Sequence, residues 1–152
     1  MRKIIVFLGL ILIGVGCSAP QILEPTELDF DKVLESKGTA FDLYSKTNQY
    51  FAEKHLFAKH EITLKDDKNF IIVARSVSQF PNDDVLRFSY TIYSKDNKVK
   101  ADFKVQDVYS MNPYYIGPRK PFKSESQDVR RIFESLVIDL DKYLNQKPRE
   151  DW

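Results

Sequence analysis

The 152-residue chain contains one cysteine, two histidines and five glycines, and each scarcity excludes a kind of site. With one cysteine, the chain cannot form an intramolecular disulfide or supply a pair of thiolates to zinc. Three of the five glycines lie within the first sixteen residues, so no glycine-rich loop remains that could cradle a phosphate group. The Gly-x-Ser-x-Gly nucleophile motif is absent as well. These absences favour a protein without catalytic activity and without a cofactor.

The two histidines, His55 and His60, stand five positions apart, across the expected end of a helix and the start of a strand. Glu53 or Glu61 could add a carboxylate, but a structural zinc site needs four ligands in a closed geometry, which this spacing does not suggest. We expect surface histidines and no bound metal.

The first seventeen residues have the composition of an export signal. Arg2 and Lys3 precede an apolar run at 4–15, and a glycine and then Cys17 follow it. Cations, a short apolar core and small residues before a cleavage point are the parts of a secretory signal. The run is shorter than the ~20 apolar residues that span a bilayer, so cleavage is expected. Residues 1–16 are predicted to be a signal peptide.

Cys17 and the residues before it resemble the lipobox of bacterial lipoproteins. Gly16 and Cys17 match this motif, whereas Gly14 stands where the family usually has a large aliphatic residue. The resemblance implies that Cys17 becomes the acylated first residue of a mature protein held to a membrane. Ser18, and not an acidic residue, follows Cys17. The resemblance therefore also implies that the protein is held at the outer membrane, where it faces either the periplasm or the cell surface. The alternative is an ordinary signal peptide with an incidental cysteine, although exported proteins normally use cysteines in pairs.

Removal of the signal would take away Arg2 and Lys3, leaving 21 Lys and Arg residues against 22 Asp and Glu residues. Nucleic-acid binding depends on clustered cations that neutralise phosphates, so we expect no nucleic-acid partner. The remaining length, about 136 residues, suits one domain with a single core. Composition predicts a lipidated tether at 17–27, one domain at 28–147 and a charged tail at 148–152.

Hydrophobic periodicity predicts the order strand, helix, four strands, helix. Alternation of apolar and polar residues predicts strands, and apolar residues spaced three and four apart predict amphipathic helices. Thr39 is expected to cap the first helix, and Ser124 with Gln127 to form a capping box at the second. The predicted strands cover 28–34, 61–65, 70–77, 85–94 and 98–108, and the predicted helices cover 40–54 and about 125–147.

An apolar sheet face and two amphipathic helices can bury their apolar surfaces against one another. We therefore expect an α+β fold, with an antiparallel sheet of about five strands and two helices on one face. The element order, a helix rich in Tyr and Phe after a Gly-containing break, and the turn at 95–98 resemble a bacterial family of domains of unknown function with a TATA-binding-protein-like fold. The resemblance covers roughly 30–109 and implies a fold but no activity. Nucleic-acid binding by the eukaryotic namesake does not follow from a shared fold.

The segment 109–122 is a candidate binding loop. It is longer than most connections, and long loops without their own structure are often functional. Because Tyr and Arg are enriched at binding hot spots, Tyr114, Tyr115 and Arg119 are candidate partner contacts. The alternative is a connector that packs its aromatic residues while crossing from the sheet to the helices.

Two functions remain open at this point. The first is a membrane-anchored envelope lipoprotein, held by lipid on Cys17, that acts as a non-enzymatic binding or structural module and contacts an envelope protein through the open sheet face or the loop. The second is an enzyme or small-molecule carrier with a pocket between sheet and helices. The absence of a convergent His, Cys, Ser or carboxylate motif favours the first.

Overall fold

Six strands of alternating apolar and polar residues form one antiparallel sheet in the computed structural model, which describes residues 19–54, 61–80 and 83–146. Two short 3₁₀ turns, Pro25–Leu28 and Lys123–Glu125, precede the first strand and the second helix. The elements in chain order are β1 (Phe30–Glu35), α1 (Ala40–Lys54), β2 (Glu61–Asp66), β3 (Ile71–Gln79), β4 (Val85–Lys95), β5 (Lys98–Asn112), β6 (Tyr115–Arg119) and α2 (Ser126–Leu144).

The long strand β5 organises the sheet. The strand order is β1-β5-β4-β3-β2, with β6 also paired to β5. One edge of β5 pairs with β4, while the other pairs with β1 at residues 98–103 and with β6 at residues 108–112. A strand rises ~3.3 Å per residue, so β5 is roughly 45 Å long. β1 and β6 therefore lie towards opposite ends of the same edge.

Aromatic side chains fill the space between the sheet and the two helices. Phe88, Tyr90 and Phe103 project from β4 and β5 and are almost completely buried. Phe133 of α2 stacks on Phe103 with ring centroids 4.9 Å apart and meets Phe88 edge to face at 5.1 Å. Phe51 of α1 stacks on Tyr90 at 5.2 Å. Such pairs add ~0.5–1.5 kcal/mol each beyond the burial of their area, so this cluster is a main source of stability.

The predicted α+β class with two helices on one sheet face is confirmed, although the sheet has six strands. Helix α1 has its predicted bounds, and the Asp42 backbone N–H donates to Thr39 Oγ1 at 3.2 Å, which confirms the predicted N-cap. Its predicted apolar stripe is buried at Leu43, Tyr44, Thr47, Tyr50 and Phe51.

One strand departs from its predicted alternation. Ile62 and Leu64 were expected on the same face of the second strand, but Ile62 lies opposite Ala74 and Leu64 lies opposite Val73. The register shift between them is a β-bulge, and one extra residue sends the following side chains to the other face. Leu64 is exposed for this reason.

Ordered contacts with the domain begin upstream of the predicted start at residue 28. Ile22 forms an antiparallel bridge with Phe122, and the Leu23 N–H donates to the Pro121 carbonyl at 2.9 Å. The Lys123 N–H donates to the Gln21 carbonyl at 2.8 Å. Much of the segment that composition predicted as a tether is therefore hydrogen-bonded to the domain.

The start of the second helix also differs from its prediction. Glu125, rather than Gln127, supplies the carboxylate that accepts the Phe122 backbone N–H, at 2.7 Å. Helix α2 begins at Ser126, after a 3₁₀ turn. Ser124 and Gln127 have the spacing of a capping box, but they lie two residues beyond Phe122 and Glu125, which form the hydrogen bond at this turn.

Candidate functional site at the β5–β6 hairpin

The segment predicted as a connecting loop is a β-hairpin. β5 continues to Asn112, β6 begins at Tyr115, and Pro113 and Tyr114 form the turn. Asn112 Oδ1 accepts the Tyr114 backbone N–H at 2.9 Å, as in an Asx turn. The prediction of a loop without its own structure is therefore wrong. The Asn-Pro pair is a turn signal that could have located the hairpin in the sequence.

Four large apolar side chains surround the end of this hairpin. Met111, Tyr114, Tyr115 and Ile116, which we call the hairpin tip, are between 53% and 97% exposed. Met111 pairs with Ile116, and Asn112 pairs with Tyr115. Paired residues share a face and successive residues alternate, so Met111 and Ile116 lie on the open face and Tyr115 lies on the face towards the helices.

The two tyrosines predicted as contacts are thus exposed, as a contact role requires, and that role remains a prediction. Sequence analysis missed Met111 and Ile116. The polar residues Ser110 and Asn112 on either side of Met111 continue the alternation of the fifth strand beyond its predicted end at residue 108.

Arg119, the third predicted contact, does not belong to the exposed surface. Its side chain is 13% exposed, and those of its partners Asp84 and Glu125 are 7% and 12% exposed. Nη1 donates to Glu125 Oε2 at 2.9 Å, and Nη2 donates to Asp84 Oδ2 at 2.6 Å. The guanidinium also lies 4.4 Å from the centroid of the Phe122 ring. Arg119 therefore lacks the exposure that a partner contact requires, because its planar fork is occupied by two carboxylates of its own domain.

The buried cluster of Asp84, Arg119 and Glu125 carries permanent charges. Burial by itself would raise the pKa of Asp84, but hydrogen bonds from Arg119, the Met111 backbone N–H and the Ser110 hydroxyl outweigh it and lower that pKa. The Met111 N–H lies 3.0 Å from Asp84 Oδ1. The pKa of Arg119 is raised, chiefly by its hydrogen bond to Glu125. Hydrogen bonds from Arg119 therefore join the base of the hairpin to Asp84 and to Glu125, and the two pKa shifts keep Asp84 and Arg119 charged at neutral pH.

The open face of the sheet is charged. Arg87 donates to both carboxylate oxygens of Asp107, with Nε 2.6 Å from Oδ1, and lies 5.5 Å from the Tyr109 ring centroid. Charges of both signs alternate here, as on an ordinary solvated surface. A shallow groove of about 390 Å³ at the far end of this face is lined by Val33, Tyr93, Lys95, Lys98, Lys100 and Asp102.

The described residues between the sheet and the helices enclose a small cavity. The cavity at the centre of the aromatic core has a volume of about 10 Å³, which is room for one water molecule. Burial raises the pKa of Tyr50 beside it to about 12, so this hydroxyl stays protonated at neutral pH. A larger cleft, about 260 Å³, lies at the edge of the domain between the first 3₁₀ turn and α2. The small cavity in the aromatic core, and not this cleft, is the one lined by Tyr50, Phe51, Tyr90, Phe103 and Leu136.

Residues 19–54, 61–80 and 83–146 contain no group of three or more His, Cys, Asp or Glu side chains placed to hold a metal ion. In the same ranges no helix combines the length and apolar character needed to cross a membrane. Cys17, His55 and His60 lie outside the described residues, as do the predicted signal peptide and the charged tail.

Replacing Tyr114 and Tyr115 together with alanine should leave the stability of the domain nearly unchanged. Exposed side chains outside special structural features contribute within about 0.5 kcal/mol. Thermal unfolding followed by circular dichroism measures the effect. A decrease of more than about 2 kcal/mol would instead mean that these rings pack as core residues do.

Comparison with known proteins was informative at the level of structure. The chain matches no family model and no curated protein. A solved DUF4468 family protein from Bacteroides ovatus aligns with a TM-score of 0.62 at 11% identity, over 81% of this chain and 89% of that one. A TBP-like protein from Parabacteroides distasonis aligns with a TM-score of 0.60 at 12% identity, over 76% of this chain and 91% of that one. Likeness at such identity concerns the fold alone, and it confirms the predicted TATA-binding-protein-like fold.

Proposed function

We propose that the chain is a lipid-anchored protein of the bacterial cell envelope whose α+β domain is a non-enzymatic binding or structural module. The observation that carries this proposal is the position of the only cysteine, Cys17, directly after a segment with the composition of an export signal. Acyl chains on Cys17 would contribute ~0.8 kcal/mol per buried methylene, so several chains anchor durably. Because Ser18 and not an acidic residue follows Cys17, we propose that the anchoring membrane is the outer membrane.

The position of the domain relative to Cys17 supports an anchored role. The Gln21 carbonyl is already hydrogen-bonded to the domain, and Cys17 precedes it by four residues. Four residues span at most ~14 Å when fully extended. Acyl chains on Cys17 would therefore hold the domain directly at the bilayer surface.

The disposition of polar and apolar groups supports binding over catalysis. Asp84, Arg119 and Glu125 use their hydrogen-bonding groups on one another and on nearby backbone. Four large apolar side chains remain exposed close together at the hairpin tip. Clustered exposed apolar residues mark surfaces that contact a partner or a membrane.

Replacing Cys17 with serine tests the anchor. The native protein should be found in the outer-membrane fraction, with a mass equal to residues 17–152 plus acyl groups, whereas Cys17→Ser should leave that fraction. Ser18→Ala, which retains the cysteine, is the matched control and should stay lipidated. The proposal is wrong if Cys17→Ser remains in the outer membrane as before, or if the native protein lacks acyl groups.

A further inference from the structure

We infer that the hairpin tip inserts into the interfacial layer of the bilayer to which the chain is anchored. This inference rests on the proposed function to the extent that the anchor supplies the bilayer. The choice of a lipid surface as the partner comes from the shape, chemistry and position of the hairpin itself.

The tip has apolar side chains on both faces of a two-stranded ribbon. Met111 and Ile116 lie on one face, Tyr115 lies on the other, and Tyr114 projects from the turn with 97% of its surface exposed. A flat protein surface can bury only one face of such a ribbon. A bilayer interface surrounds a projecting tip on all sides, and it can therefore cover all four side chains together.

The composition of the tip suits the boundary between headgroups and acyl chains. Tyrosine is enriched at that depth because its ring is apolar and its hydroxyl remains hydrated, and apolar residues of interfacial segments enter ~5–10 Å into the boundary. Residues 110–118 contain no Asp, Glu, Lys or Arg, so insertion removes no charged side chain from water. By contrast, the turn between β4 and β5 carries Lys95, Asp96 and Lys98.

The hairpin is held in a fixed conformation before it meets a membrane. The Asp84 carboxylate accepts the Met111 backbone N–H, and Arg119 joins the end of β6 to α2 through Glu125. Ordering a flexible segment opposes binding, so a tip that is already ordered loses less conformational entropy on insertion.

The hairpin and the described part of the N-terminal segment lie on the same side of β5. β1, which the N-terminal segment enters, and β6 both pair with the edge of β5 that faces away from β4. Gln21 is hydrogen-bonded to Lys123, and the eight residue intervals from Tyr115 to Lys123 span roughly 26 Å when extended as a strand. Cys17 can lie at most ~14 Å from Gln21, so a bilayer held by acyl chains on Cys17 lies on the side of β5 that also carries the tip. The β4–β5 turn then lies at the distal end of β5, roughly 45 Å away.

Tryptophan fluorescence in vesicles tests the inference. The full chain carrying Trp152→Phe, to remove the native tryptophan, is reconstituted into phosphatidylethanolamine and phosphatidylglycerol vesicles that contain lipids brominated near the interface. We expect Tyr114→Trp to lose at least about half of its emission and to shift to shorter wavelength, because interfacial side chains reach ~5–10 Å into the boundary. Phe41→Trp is the matched control, since Phe41 is exposed and its neighbour Ala40 is hydrogen-bonded to Asp96 of the distal turn. Phe41→Trp should not be quenched.

A second pair of variants separates the tip from the rest of the surface. Met111→Ser with Ile116→Ser should reduce the quenching of Tyr114→Trp at least about twofold, because two of the four inserting side chains become polar. Val33→Ser, at an exposed position on β1, should leave the quenching of Tyr114→Trp unchanged. Circular dichroism melting confirms that each variant is folded.

The outcomes distinguish this inference from the proposed function. The inference is wrong if the tryptophan at position 114 is not quenched, or if tryptophans at positions 114 and 41 are quenched equally. This holds even where mass measurement shows that Cys17 is acylated. Selective quenching at position 114 with an unmodified Cys17 supports insertion and refutes lipid anchoring through that residue.

Discussion

Arg119→Ala is expected to reduce the free energy of unfolding by about 3–5 kcal/mol, because it leaves two buried carboxylates without a counter-charge. Asp84 Oδ2 and Glu125 Oε1 both accept hydrogen bonds from Arg119 Nη2. Neither carboxylate can regain full hydration while it remains buried at the base of the hairpin. The same change at an exposed arginine removes only a screened surface interaction.

Urea unfolding at pH 7 measures this effect, with Arg130→Ala as the matched control. Arg130 is paired with Glu134 on the exposed face of α2, and such a pair contributes ~0–1 kcal/mol. Combining Arg119→Met, Asp84→Asn and Glu125→Gln should be less destabilising than Arg119→Ala alone, because no buried charge then lacks a partner. Equal effects of Arg119→Ala and Arg130→Ala would contradict the buried cluster.

The effect of Arg119→Ala should also depend on pH. The pKa of Asp84 in the folded protein is below its ordinary value, so the unfolded state binds the proton more readily. The stabilisation is then fully present above the unfolded pKa of about 3.9 and is lost as the pH falls through the lower folded pKa. The difference in stability between native protein and Arg119→Ala should therefore shrink when unfolding is measured at progressively lower pH below about 4. A difference that stays constant would show that Asp84 is not the titrating partner.

Phe133→Ala should reduce the free energy of unfolding by about 3–5 kcal/mol through loss of packing. Phe133 is completely buried, and its ring lies 4.9 Å from that of Phe103, 5.1 Å from Phe88 and 6.2 Å from Phe30. Alanine at this position leaves a cavity under the centre of the sheet, which neighbouring rings can fill only partly. Thermal unfolding should show a melting temperature lower by roughly 10 °C or more.

Two residues of the same helix serve as controls for this prediction. Ile138 is exposed, so Ile138→Ala should change stability by no more than about 0.5 kcal/mol. Leu136, which helical spacing also places on the apolar stripe, is only partly buried, and Leu136→Ala should fall between the other two. If Phe133→Ala were no more destabilising than Ile138→Ala, the face of α2 that covers the sheet would have been assigned wrongly.

Local periodicity was sufficient to predict most elements of the fold. Leu43, Thr47 and Tyr50 follow one another at helical spacing because one side of α1 is buried, and the same reasoning predicted the alternation of Phe88, Tyr90 and Ile92 in β4. These patterns depend on the geometry of a single element. They were therefore visible without knowledge of what each element packs against.

The bulge in β2 and the extent of β5 were not predictable in the same way. An extra residue between Ile62 and Leu64 becomes evident only against the register of β3. The hairpin was obscured because Asn112, Pro113 and Tyr114 predict a turn but do not show whether the strands beside it pair. Pairing between β5 and β6 depends on backbone groups that the sequence pattern does not reveal.

The sequence by itself determined the order of the elements other than β6, the amphipathic faces and the isolation of Cys17 that underlies the proposed anchor. Only the tertiary structure decided the fate of the three predicted contact residues. It left Tyr114 and Tyr115 exposed and placed Arg119 between Asp84, 35 positions away, and Glu125, six positions away. Periodicity follows from the repeat of one helix or strand. The partner of a side chain instead depends on how segments that are far apart in the sequence pack together, and their separation in the sequence does not give their separation in space.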